Sequence, residues 1–95
     1  MTTINFDSTM KGLASKITPF KAVFNDTENV THLTVMVTND NQKDNCSLWW
    51  EVIDDKQIKH VSGTLVLSGS DYTSYNVSKE TRFQYVADKL NLTFA

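Results

Sequence analysis

Two short runs in this chain alternate residue by residue, and they leave few folds open. In His32 to Thr38, Leu33, Val35 and Val37 fall on one side, with Thr34, Met36 and Thr38 on the other. In Cys46 to Ile53, Leu48, Trp50 and Val52 share one side, and Trp49, Glu51 and Ile53 the other. A period of two in β-branched and aromatic residues marks strands, because successive side chains of an extended chain point to opposite faces. Only the polar stretch Asn39 to Asn45 separates the runs, and a connection that short favours antiparallel pairing. After a tight polar turn over Asp54, Asp55, Lys56 and Gln57 come Ile58 to Val61 and Thr64 to Leu67. These read as one strand interrupted at Gly63 by a bulge.

The period then changes. Phe83, Val86, Ala87 and Leu90 are spaced i, i+3, i+4 and i+7, one stripe of a helix. Ser78 is placed to cap it, and the helix is expected over Lys79 to Lys89, with Asn91 ending it. Glu80 near its start and Lys89 near its end suit the helix dipole. A helix of this length is marginal alone, so its stripe must pack on the sheet. Leu92 and Phe94 are expected to dock there as well. Asp71-Tyr72 reads as a turn with Tyr72 beside the helix.

Residues 4 to 17 fit a short N-terminal helix, with Met10, Leu13, Ala14 and Ile17 on one face, though Gly12 opposes it. Thr18 precedes Pro19, so such a helix ends there. Phe20 to Phe24 alternates weakly, and Asn25 to Asn29 reads as a turn. The expectation is an α+β fold: a small antiparallel β-sheet of four to five strands packed by a C-terminal amphipathic helix. A chain of 95 residues makes this one β-rich domain, residues 1–95, with a modest core.

Charge narrows the partners. The net charge is -2, Arg82 is the only arginine, and the lysines are scattered. Nucleic-acid binding calls for clustered basic residues, so no nucleic-acid partner is expected. No window reaches the apolar length of a membrane span, and Met1 to Asp7 lacks the pattern of a signal peptide. A cytoplasmic protein with no membrane partner is therefore expected. Cys46 is the only cysteine, which excludes a disulfide within the chain and favours a small buried hydrophobe. Asn25, Asn29, Asn45, Asn76 and Asn91 each begin an N-x-S/T sequon, read here as chance in a chain rich in Asn, Ser and Thr.

Catalytic readings are weak. His32 and His60 are the only imidazole bases, and no serine sits in a nucleophile elbow. A hydrolase using His60 with Asp54 or Asp55 is the least favoured alternative. Adjacent carboxylates on a strand point apart, and in a turn they are usually solvated. Asp40, Gln42, Asp44 and Glu51 have the spacing of a calcium loop, but Asn45 replaces its turn glycine and Leu48 fills a ligand position. No metal, cofactor or enzymatic activity is expected.

Trp49 and Trp50 are the most informative residues. Consecutive in a strand, they face opposite ways. One anchors the core under the helix, and the other reaches the second face. If that face is open, an indole flanked by Met36 and Ile53 makes an apolar patch for a partner. If the N-terminal segment covers it, the patch is core. Trp49, Trp50, Met36 and Ile53 are thus the candidate partner-binding residues.

From Trp50 to Leu92 the order is Trp-Glu-Val-Ile-Asp, a polar turn, Ser-Gly-Thr-Leu-Val-Leu-Ser-Gly-Ser-Asp-Tyr, then a helix ending Leu-Asn-Leu. This resembles small uncharacterised bacteriophage proteins, some of them virion components. The resemblance covers under half of the chain and carries over no functional residues. It implies a phage setting, in the virion or the host cytoplasm. The expected function is a non-catalytic protein-interaction or assembly module, a small virion structural protein contacting copies of itself or other virion proteins. The alternative is a monomeric inhibitor or adaptor that binds a host protein.

Overall fold

A computed structural model of the protein describes Ile4, Phe6, residues 14–20 and residues 29–95. The elements run β1 (Ala14–Phe20), β2 (Val30–Asp40), β3 (Asn45–Ile53), β4 (Lys59–Ser68), α1 (Ser70–Tyr75) and α2 (Lys79–Leu90). The four strands form one open antiparallel sheet in the order β1-β2-β3-β4. The α+β expectation holds, with two C-terminal helices where one was expected.

One face of the sheet is the floor of the core. Leu33 stands opposite Val52, Leu48 opposite Leu65, and Cys46 opposite Leu67. Phe83, Val86 and Ala87 of α2 close over this floor, and Leu33, Leu48, Leu67, Val86 and Ala87 are fully buried. The helix starts and stops where its sequence says. The Ser78 hydroxyl accepts from the Thr81 amide at 3.2 Å, and the Thr81 hydroxyl accepts from the Ser78 amide at 3.0 Å. Such a cap is worth about 1 kcal/mol. Asn91 ends α2 in the left-handed conformation, φ 57°, and donates its N–H to Ala87.

Three expectations are corrected. Ala14 and Ile17 lie in β1 and not in a helix: Ala14 pairs with Thr34 and Ser15 with Leu33. Pairing on β2 outweighs the helical spacing, and Pro19 is tolerated because β1 ends the sheet. Met10, Leu13 and residues 21 to 28 lie outside the described residues. Asp71 and Tyr72 belong to α1, a short helix and not a turn. Finally, β4 runs unbroken through Gly63, and the register shift of this hairpin falls between Val52 and Ile53.

Gly63 has another reason to be glycine. It pairs with Trp50, whose indole lies across it. A Cβ at position 63 would stand 2.8 Å from Trp50 Cζ2 and 3.0 Å from Cε2. No side chain fits under the ring.

The outer edge of β1 is covered. Thr18 donates its N–H to the Thr93 carbonyl at 2.7 Å, and Ala95 donates to Lys16 at 3.1 Å. Phe94 bridges Ile17, and Phe6 bridges Ser15. Phe94 is buried as expected, and Leu92 packs half-buried against the same core. Phe6 also meets Phe83 edge to face at 5.0 Å.

The tight fit over Gly63 is testable. Gly63→Ala should destabilise the protein by about 1–3 kcal/mol, the usual cost of overpacking. Urea denaturation checks this, and an unchanged midpoint would show that the indole does not rest on Gly63.

Candidate functional site

The second face of the sheet holds the candidate surface. Met36, Trp49 and Thr64 stand side by side across β2, β3 and β4. Ser47 and Val66 form the next row. Met36 is 61% exposed and Val66 48%, while Trp49 is half-buried between them. The Trp49 indole donates Nε1–H to Glu51 Oε1 at 3.0 Å. Glu51 lies two residues along the same face, so alternation itself supplies the partner. The bond fixes the ring while leaving its apolar surface beside Met36.

The sequence-derived set divides. Met36 and Trp49 come together on this open face. Trp50 points the other way, half-buried against the core. Ile53 is on the same face as Trp49 but is buried with Ala14 in a small cluster of its own. The patch is therefore Met36, Trp49 and Val66. Val66 has no clear face in the sequence, because an interruption at Gly63 leaves its register open; the unbroken β4 ladder sets it opposite Ser47.

Below the patch, at the β3–β4 hairpin, Asp54 is 2% exposed. This departs from the solvated turn carboxylate expected; Asp55 is exposed. Asp54 Oδ1 accepts from the Lys56 amide at 2.8 Å and the Ile58 amide at 3.0 Å. Its Oδ2 lies 3.0 Å from His60 Nε2. These donors, His60 first and then Ile58, hold the carboxyl below its ordinary range. The arrangement orders a hairpin in which Gln57 takes a positive φ of 64°. His60 and Asp54 thus do meet, as a hydrolase reading requires. Adjacency of Asp54 and Asp55 gave no sign of it, whereas the six-residue separation across a tight hairpin did place His60 within reach.

A second polar tie joins the sheet to the helices. Asp40 Oδ1 accepts from the Gln42 amide at 2.7 Å and the Tyr72 hydroxyl at 2.8 Å, and Oδ2 accepts from Asn76 at 3.1 Å. Arg82 Nη1 then donates to Asn76 at 3.2 Å. The Gln42 amide and the Tyr72 hydroxyl lower the Asp40 pKa, and the same bond raises that of Tyr72. Two members of the calcium-like spacing are thereby placed elsewhere: Asp40 serves this tie, and Glu51 holds Trp49. Among the described residues no three of His, Cys, Asp and Glu converge where a metal could sit. Cys46 is buried, and burial pushes its thiol pKa up, which disfavours the reactive thiolate. On the core side, Phe20, Trp50, Val52, Val61, Leu90 and Leu92 line an apolar cavity of about 190 Å³.

Comparison with protein-family models, with curated proteins and with solved structures finds no match. No helix among the described residues is long and apolar enough to cross a membrane.

The Asp54 tie sets a pH dependence. Its folded pKa is depressed, so its contribution is fully present above the unfolded value, about 4, and is lost as pH falls through the lower folded value. Asp54→Asn should lower stability at pH 7 and flatten the acid loss that sets in as pH falls below about 4. Denaturation midpoints across that range check it. Parallel curves for the two proteins would contradict the assignment.

Proposed function

We propose that this protein is a non-catalytic interaction or assembly module, whose contact surface is the open face of its sheet. The observation that carries the reading is the Met36–Trp49–Val66 patch. Large apolar side chains on a strand face normally meet another layer, and here Met36 and Val66 are largely exposed. An indole with its N–H satisfied inside the chain offers a rigid apolar anchor at small entropic cost. The near-neutral charge and scattered lysines favour a protein partner over a phosphate-bearing one.

The setting we propose is a bacteriophage, with the protein as a small virion component touching copies of itself or other virion proteins. The resemblance between Trp50 and Leu92 supports this. A hydrolase is not favoured. Asp54 does stand where it could orient His60, but the pair is explained by ordering the hairpin, and the Cys46 thiol is buried with its pKa pushed up.

Met36→Asp tests the patch. It should leave folding stability within about 0.5 kcal/mol, as exposed substitutions do, yet abolish incorporation into purified particles. Trp50→Ala, by contrast, should destabilise the fold by about 3 kcal/mol. Normal incorporation of Met36→Asp would count against the open face. Absence of the wild-type protein from particles would remove the virion setting.

A further inference from the structure

The two edges of the sheet are treated differently, and the difference points to a second contact. The outer edge of β1 is covered by Phe6 and by Thr93 to Ala95. The other edge is β4, and the phase of its hydrogen bonds can be read directly. Gly69 donates to the Asp44 carbonyl at 3.0 Å, and Asp54 donates to Ile58 at 3.1 Å. Extending that alternation along the register puts the main-chain groups of Val61, Gly63, Leu65 and Leu67 toward β3. Those of Ser62, Thr64 and Val66 then point outward. Among the described residues, the one hydrogen bond to this outward row comes from the Tyr85 hydroxyl, at 3.3 Å from the Val66 carbonyl. A carbonyl has two acceptor sites, so that bond does not close the row.

Edges of this kind are usually protected by charge, proline or a bulge. Here Lys59 and the register shift lie at one end only. From Val61 to Ser70 there is no charged residue and no proline.

We propose that β4 pairs antiparallel with β4 of a second copy of this chain, across a two-fold axis at Thr64. The edge is self-complementary in that register. Thr64 faces its equivalent, and Ser62 faces Val66 of the second copy, so every outward N–H meets an outward carbonyl. Gly63 faces Leu65 of the second copy. Gly63 brings no side chain, and the Trp50 indole lies over it. Each half-buried Leu65 then has an aromatic surface to pack beside, on the core side of the extended sheet. No like charges are brought together. This contact goes beyond the proposed face: it uses main chain, and it does not require Met36.

Charge substitution at Thr64, which is exposed, tests it without touching the core. Sedimentation equilibrium up to about 1 mM should show a wild-type dimer. Thr64→Lys and Thr64→Glu alone place like charges across the axis and should each weaken dimerisation at least about tenfold. Mixing the two should restore a heterodimer. Met36→Asp should dimerise as wild type does, which separates this contact from the face patch. A wild-type monomer throughout the range would overturn the proposal, and so would a dimer insensitive to both charges. Dimers lost in Met36→Asp but kept in Thr64→Lys would place self-association on the face instead.

Discussion

The ladder between β3 and β4 sets the position of nearly everything else. Because Trp50 pairs with Gly63, the indole can lie flat across the neighbouring strand, where any Cβ would collide with it. With Trp50 committed to the core side, alternation sends Trp49 to the opposite face beside Met36. The same ladder brings Asp54 to the hairpin, where two amides and His60 converge on its carboxylate. It also decides which β4 groups point away from the sheet.

The helices complete one side only. Their stripe buries Phe83, Val86 and Ala87, and the Asp40–Tyr72–Asn76–Arg82 chain of hydrogen bonds ties them to the end of β2. A charged group held by several donors resists displacement more than a single neutral bond does. Among the described residues, the result is a sheet with one face filled by the helices and the other exposed around Met36 and Val66, and with a covered β1 edge and a β4 edge that pairs with no further strand. That asymmetry, more than any reactive group, is the basis of the proposed assembly role.

Much of this was legible in the sequence, for physical reasons. Strands β2 and β3 announce themselves through strict alternation, and α2 through its 3.6-residue stripe and matched caps. The opposite facing of Trp49 and Trp50 follows from the same alternation. What escaped depended on contacts distant in sequence. β1 is a strand because β2 offers it partners, although Ala14 and Ile17 carry helical spacing. Gly63 looked like a bulge because its true neighbour, Trp50, is thirteen residues away along the chain and adjacent only across the ladder. Alternation puts Ile53 on the face of Trp49, but only the fold brings Ala14 against it and buries it. The link from Asp40 to Tyr72 and Asn76 spans more than thirty residues and has no local signature.

Residue-resolved amide hydrogen exchange along β4 in dilute solution tests the central claim most directly. The account predicts alternation: slow exchange at Gly63, Leu65 and Leu67, whose N–H groups bond to β3, and fast exchange at Ser62, Thr64 and Val66, whose N–H groups face outward. Uniform protection along the strand, or protection in the opposite phase, would contradict it.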